Sequence, residues 1–297
     1  MRSEIGVVIL NYMQFELTKR CVESVLQSQD VLPRIVIVDN NSQDGSVENL
    51  SRAFHNDNRV TVLESGENLG YAYGNNIGLD YLCREGLNLF CILNNDVSVT
   101  NHTFMNLVRV YPHDKPAVIG PCLLEADQGD GSVEIQSIGA SINLWKATSV
   151  LKFNGRQFDK QLRSRLPQLM EADYISGACI FFSFQTLRTV GKLPENYFLY
   201  FEETEWCVRA KRKGILVAAT PNARVYHEGS KSVGKSSKLL TYYLNRNSFL
   251  FIRRNGSMPQ RIFFPIYRLL RFAIKRERNS WYGILAGLRR EEGVANG

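Results

Sequence analysis

The chain has 297 residues, 44% hydrophobic and 22% charged, enough to bury a full core as one large domain or as a domain with an appendage. No apolar run approaches the roughly 18 residues of a membrane span, and Arg2 and Glu4 lead straight into a short strand, so neither a spanning helix nor a signal peptide is expected. The net charge of +7 is uneven: residues 235–297 hold 13 Lys/Arg against 3 Asp/Glu while residues 1–234 sum to −3, which points the last fifth of the chain toward an anionic membrane or nucleic acid.

Ile5-Gly6-Val7-Val8-Ile9-Leu10 reads as a first strand, near-continuously apolar like a parallel strand covered on both faces. It ends on Asn11-Tyr12. Residues 16–27 carry a helical pattern with Leu17, Cys21, Val22, Val25 and Leu26 on one side. A second strand, Arg34-Ile35-Val36-Ile37-Val38, ends on Asp39-Asn40-Asn41-Ser42, and Ser46 suits the N-cap of a helix reaching Phe54. Val60-Thr61-Val62-Leu63 is a third strand, and a helix opens in residues 68–76 and runs to Glu85. Leu89-Phe90-Cys91-Ile92-Leu93 is a fourth strand, stopping on Asn94-Asn95-Asp96. Strand and helix alternating at this spacing predict an α/β fold, with a mostly parallel central sheet flanked by helices.

Ligands of open α/β sheets lie beyond the carboxyl ends of the strands, where these polar residues gather. Asp39 can accept a hydrogen bond from a base imide, and Tyr12 offers a ring for stacking. Gly70 and Gly74 would let backbone approach a phosphate near a helix N-terminus. Asp96 can hold a divalent cation against a diphosphate leaving group; by itself, Asn-Asn-Asp is also an ordinary polar turn. No G-x-G-x-x-G follows the first strand and no Walker A lysine is present, so the parts suit a nucleotide diphosphate and not a dinucleotide.

Further along, residues 117–121 form a strand, residues 132–151 suggest short antiparallel strands, and the basic stretch 156–165 (Arg156, Lys160, Arg163, Arg165) reads as a loop. The six cysteines form no CxxC pair and lie mostly in apolar or helical runs, as reduced, buried thiols of a cytosolic protein would. Residues 238–254 form a helix whose Arg246 either reaches a donor phosphate or acceptor or is a plain surface arginine. In residues 261–275, Arg261, Arg268, Arg271 and Lys275 share one helical face and Ile262, Ile266, Leu269, Leu270 and Ala273 another. Such a helix suits a membrane interface, or packs on the catalytic domain or a second subunit.

Five motifs, in order, resemble the family 2 glycosyltransferases of the GT-A fold over residues 4–255. They are Val38-Asp39-Asn40-Asn41-Ser42-x-Asp44-Gly45-Ser46; Asn68-Leu69-Gly70-Tyr71-Ala72-x-Gly74-x-Asn76-x-Gly78; Leu93-Asn94-Asn95-Asp96; the block from Gly177-Ala178 through Tyr197-Phe198-Leu199-Tyr200-Phe201-Glu202-Glu203-Thr204-Glu205-Trp206; and Val225-Tyr226-His227-Glu228-Gly229-Ser230. The Phe-Leu-Tyr-Phe-Glu run and the later Tyr242-Tyr243-x-x-Arg246-Asn247 are most similar to bacterial rhamnosyltransferases of polysaccharide assembly.

The resemblance implies a GT-A (Rossmann-like) catalytic domain over residues 1–235 and a basic helical region over 236–297. It places Tyr12 and Asp39 at the base, and Asn68, Gly70, Tyr71, Gly74 and Asn76 along the ribose and diphosphate. Asn94, Asn95 and Asp96 take the family's D-x-D place, with Asp96 binding Mg²⁺ or Mn²⁺ and His227 as a second ligand. It makes Glu203 the base that takes the acceptor proton, with Glu202 and Glu205 as competitors that could simply favour the helix dipole. The expected protein is an inverting, metal-dependent hexosyltransferase, peripheral on the cytoplasmic face of the inner membrane. It would move L-rhamnose from a dTDP donor onto a lipid-linked glycan of the O-antigen kind. UDP-hexose or UDP-HexNAc transfer is the alternative within the fold. A nucleic-acid-binding protein is the alternative outside it, disfavoured because the basic residues alternate with apolar ones instead of aromatic platforms. The sequence leaves the oligomeric state open.

Overall fold

The computed structural model describes residues 2–125, 133–228, 238–275 and 280–295. The first half alternates strand and helix as expected: β1 (Ser3–Asn11), α1 (Phe15–Leu26), β2 (Val31–Asp39), α2 (Ser46–Phe54), β3 (Val60–Glu64), α3 (Tyr71–Arg84) and β4 (Leu89–Asn94). There follow β5 (Val97–Val99), α4 (Thr103–Val110), β6 (Ala117–Glu125), β7 (Ile135–Ser137), β8 (Ala140–Asn143), β9 (Thr148–Leu151), α5 (Lys160–Arg165), β10 (Met170–Glu171), β11 (Cys179–Ser183) and α6 (Phe184–Val190). A 3-10 turn (Glu195–Tyr197), α7 (Glu202–Arg212) and β12 (Leu216–His227) complete the sheet-bearing part, and α8 (Lys238–Asn255), α9 (Met258–Lys275) and α10 (Trp281–Leu288) follow.

The main sheet runs β10-β12-β6-β11-β4-β1-β2-β3. β1 is parallel to β2 and β4, and β2 to β3. β6 and β12 are also parallel, while β11 lies antiparallel between β4 and β6. The continuous apolar strands are explained by cover on both faces. In β1, Val8 packs with Leu79 and Leu82 of α3 in one core, while Ile5, Val7 and Ile9 pack with Val22 and Val25 of α1 in the other. Each such side chain, fully enclosed, contributes about 1.5–3 kcal/mol. A third cluster joins Tyr197 to Phe249, Phe251, Phe264 and Ile284 of the C-terminal helices.

Two local expectations need correction. Gly45, at φ +78°, is the N-cap of α2, and Ser46 is its first helical residue. Asp44 Oδ1 accepts the Ser46 N–H at 3.0 Å, so the aspartate makes the turn that the serine was expected to make. The basic stretch 156–165 is not wholly a loop, because Asp159 accepts the Leu162 N–H at 2.6 Å and caps α5. All six cysteines are free and five are buried. The boundary expected at 235/236, like Gly229 and Ser230, lies outside the described residues.

Candidate active site

The carboxyl end of β4 is brought to that of β12 by β5. This short strand pairs antiparallel with β12, so His227 stands opposite Val97, the residue after Asp96. His227 Nε2 consequently lies 3.3 Å from Asp96 Oδ1. On the other side of the ring, Nδ1 lies 2.7 Å from Gln136 Oε1, and Gln136 Nε2 donates to the His227 carbonyl at 2.8 Å. An amide oxygen only accepts, so the partner assigns the proton to Nδ1 and turns the Nε2 lone pair toward the carboxylate. Two acceptors face each other there, which is favourable only with a cation or a proton between them. Asp96 Oδ1 is buried with no hydrogen-bond partner, as expected of an atom that serves a ligand. The carboxylate and imidazole therefore fit a divalent cation. Among the described residues no third acid, cysteine or histidine joins them.

Behind this pair, a buried polar network ties three strand ends together. Asn11 donates to Asp39 Oδ2 at 2.6 Å and accepts from Thr18 Oγ1 at 2.6 Å. Asn95 Nδ2 donates to the same Thr18 hydroxyl at 3.0 Å, and the Ser42 N–H donates to Asp39 Oδ1 at 2.6 Å. Asp39 is fully buried with both oxygens accepting. This corrects the expectation of an open carboxylate for a base, because Asp39 here holds the β1 and β2 ends in register. Tyr12, 47% exposed, does offer its ring. Asn94 and Asn95 are partly exposed at the end of β4.

The glycines act otherwise than expected. A Cβ on Gly70, whose φ is +102°, would collide with the Phe198 carbonyl, and one on Gly74 would strike Leu10. Each allows segments of this chain to approach one another closely. Asn68 Oδ1 accepts from Asn40 Nδ2 at 2.8 Å and from the Gly70 N–H at 3.2 Å, setting the turn into α3. Asn76 is buried and donates to the Leu193 carbonyl at 3.0 Å and Glu195 Oε1 at 2.7 Å. It is a packing residue and does not line the ribose or diphosphate.

The three acids opening α7 have three environments. Glu205 is buried and accepts from Tyr197 Oη at 2.5 Å, with Arg254 at 3.2 Å. Glu202 is buried and its Oε2 has no partner; burial, then the charge of Glu203, pushes its carboxyl well above the ordinary range. Glu203 is partly exposed and lines a cavity of about 370 Å³ with Ser149, Tyr174, Tyr200, Phe201 and Leu244. Burial pushes its carboxyl up to about 6, opposed by hydrogen bonds from its own and the Thr204 backbone N–H. A carboxylate so raised is mostly ionised at neutrality yet holds a proton more readily than an ordinary one, which suits it to take and release protons there.

The cavity and the Asp96–His227 pair share one support. The Cβ position of Gly177 lies 3.7 Å from Glu203 Cγ, and the Gly177 carbonyl accepts from Tyr71 Oη at 2.8 Å. The next carbonyl, of Ala178, accepts the Asn94 N–H at 3.0 Å. Glu203 of α7 thus lies beside Gly177, whose neighbour Ala178 bonds Asn94, two residues before Asp96.

Residues 6–188, more than half of the chain, match the glycosyl transferase family 2. The chain belongs to glycosyltransferase family 2. It is 26% identical over 255 residues to the low-salt glycan biosynthesis hexosyltransferase Agl10 of Haloferax volcanii, an alignment covering 84% of this chain and 76% of that protein. It is 24% identical to the dTDP-rhamnosyl transferase RfbF of Shigella flexneri, covering all of this chain and 98% of that one. Among solved structures, GalNAc-T7 with UDP, GalNAc and Mn²⁺ superposes with a TM-score of 0.61 at 15% identity, over 85% of this chain and 50% of that one. The mannosyltransferase PcManGT of Pyrobaculum calidifontis, with GDP-Man and Mn²⁺, gives 0.54 at 16% identity over 98% and 75%. The expected GT-A architecture is therefore the one observed.

In this glycosyltransferase Arg246 does not reach a phosphate, nor is it a surface residue. It is fully buried, and its guanidinium donates to Asn247 Oδ1, the Gly293 carbonyl and the Tyr197 carbonyl at 2.9, 2.7 and 2.6 Å, with its carbon 4.7 Å from the Tyr243 ring centre. A buried charge needs all these partners. Its neighbour Asn247, which drew no role from the sequence, donates from Nδ2 to the carbonyls of Tyr197, Leu199 and Tyr200 at 3.1, 2.7 and 3.0 Å. These bonds hold the turn before Glu203, in which Phe198, Tyr200 and Phe201 all take left-handed φ values of +67°, +69° and +79°. Thr18, Asn11 and Gln136 were missed as well, since each works through another side chain and stands in no motif of its own.

Proposed function

We propose that this family 2 glycosyltransferase transfers a hexose with inversion from a nucleotide-diphosphate donor to a hydroxyl of a lipid-linked glycan at a membrane surface. The observation that carries the reading is Glu203, a carboxylate of raised affinity for protons that lines an apolar-walled cavity and packs beside the Gly177-Ala178 segment, which bonds Asn94 at the end of β4. The acceptor hydroxyl gives its proton to Glu203 as its oxygen bonds to the anomeric carbon, and the bond from that carbon to the diphosphate oxygen breaks on the opposite face. Asp96 and His227 would hold the divalent cation, which supplies positive charge to the leaving diphosphate. Tyr12 stacks the base, and Asn94 and Asn95 face the ribose. Asp39 and Asn68 reach the nucleotide through the turns they fix. An L-rhamnosyl donor on dTDP is favoured by the full-length similarity to RfbF, and a UDP-hexose is the second reading, favoured by the similarity to Agl10 and to a UDP-bound neighbour. Membrane placement rests on the outer face of α9, where Ile262, Ile266, Leu270 and Ile274 are more than half exposed.

The test is thermal stabilisation by dTDP, UDP and GDP, each with and without Mn²⁺. A ligand at 100 times its dissociation constant adds about 2.7 kcal/mol. The stronger base names the donor class, and Asp96→Asn should abolish the part that depends on Mn²⁺. No shift with any nucleotide would overturn the proposal.

A further inference from the structure

A groove of about 400 Å³ lies between α8, α9 and α10, lined on different residues from the Glu203 cavity. Its apolar surface comes mainly from Met258, Pro265 and Leu288, over a nearly buried base of Phe249, Ile252 and Phe264. Its polar lining is three arginines and no acid: Arg253, Arg261 and Arg290. Arg253 is matched by Glu292 at 2.5 Å. Arg261 uses only Nε, on the Gly256 carbonyl at 2.9 Å, which leaves its two terminal nitrogens for another acceptor. Arg290 has no side-chain partner among the described residues. Pro265 has no N–H to give the Arg261 carbonyl one turn back, so that carbonyl lacks its helical donor. Met258 lines the groove and is itself 66% exposed, next to Ile262 on the outward face of α9. The groove is thus continuous with the apolar face already read as meeting a bilayer.

We infer that this groove is a binding site for an anionic phospholipid, with the headgroup phosphate on Arg261 and Arg290 and the upper acyl chain on Met258, Pro265 and Leu288. Guanidinium forks match phosphate oxygens in pairs. A free phosphate would use the arginines and leave the apolar wall idle, whereas a zwitterionic lipid would bring its own cation against the arginines. The inference rests on the membrane part of the proposed function, and it places one lipid beside α9 as a fixed point of attachment.

The experiment uses the full chain and dihexanoyl phosphatidylglycerol below its micellar concentration, read by thermal shift. Dihexanoyl phosphatidylcholine and inorganic phosphate serve as the other arms. The expected result is a saturable upward shift with the anionic lipid, little with the other two, and roughly 25-fold weaker binding in Arg261→Gln/Arg290→Gln, about fivefold for each guanidinium lost. Arg261→Lys/Arg290→Lys keeps the charge and should recover part of the affinity. An equal shift with phosphate alone, or an unchanged affinity in the glutamine pair, overturns the site. Nucleotide-dependent stabilisation is measured in the same samples. Its persistence with no lipid response would sink the groove alone, while its loss in the wild-type protein would count against the transferase reading separately.

Discussion

Glu202, Glu203 and Glu205 occupy one turn of one helix and differ only in what surrounds them. Glu205 is spent on Tyr197 and Arg254, and Glu202 is sealed, its carboxyl pushed well above the ordinary range by burial and by the charge of Glu203. Glu203 alone faces a cavity. Glu203→Gln should therefore abolish transfer and leave nucleotide affinity within about twofold, since it removes the proton acceptor and little else. Glu202→Gln, an isosteric change at a sealed position that does not line the cavity, should keep most of the turnover; its inactivity would move the base assignment. The carboxylate must be ionised to act, so kcat/KM should rise with pH through about 6. Stability should run the other way. The folded protein binds the Glu203 proton more tightly than the unfolded chain, whose carboxyl titrates near 4.5. The stability attached to that proton is present below 4.5 and is lost as pH rises through about 6. Melting curves of Glu203→Gln and wild type should thus differ most at pH 8, with the variant more stable, and converge near pH 4.5.

At the level of elements, the turn before α7 is strained and α8 compensates. The positive φ angles of Phe198, Tyr200 and Phe201 are unfavourable for residues with a side chain, at about 1 kcal/mol or more each. They persist because Asn247 and Arg246 take up the carbonyls of Tyr197, Leu199 and Tyr200, and because Gly70 lets the Phe198 backbone sit against α3. Asn247→Ala should cost about 1–3 kcal/mol for the buried carbonyls left without a donor. It should lower kcat and leave the nucleotide dissociation constant nearly unchanged, because the misplaced group is Glu203. Asn247→Asp, of the same shape without the amide donor, should behave alike. Equal losses in kcat and nucleotide affinity would show that α8 supports the whole site and not this turn in particular.

For the whole molecule, the sheet gathers the chemistry and the C-terminal helices carry an outward apolar face. Tyr197, Phe249, Phe251 and Phe264 join them in one core, and Arg246 reaches across to Gly293 beyond α10. Truncation after Gly256 would remove that carbonyl and disturb the fold together with the surface, so point changes are the cleaner probe. Ile262→Ser, Ile266→Ser and Leu270→Ser change exposed positions and should each alter stability by less than about 0.5 kcal/mol. Together they should weaken co-sedimentation with vesicles at least about tenfold, in proportion to the apolar area withdrawn from the interface. Unaltered sedimentation would leave packing against protein as the purpose of that face.

The alternating strands and helices, the polar strand ends, the pairing of acid with helix start at Glu203 and the amphipathic pattern of α9 were legible in the chain, because each depends on spacing along one element. Periodicity reports which face is covered, and a strand followed by Asn-Asn-Asp or Asp-Asn-Asn reports where a sheet presents polar groups. What covers a face, and what a polar group already holds, depends on residues distant in sequence. Asp39, Asn76 and Arg246 carried ligand-binding expectations, yet the fold supplies partners from residues 11, 193, 195, 197 and 293 that enclose them. Gly70 and Gly74 were rightly singled out as places of close approach, but only the tertiary structure shows that the approaching atoms belong to Phe198 and Leu10. The meeting of Asp96 with His227 was implied by likeness alone until β5 paired with β12. Local order is written in the sequence, and partnership is decided by folding, since burial and hydrogen-bond satisfaction are properties of the assembled chain.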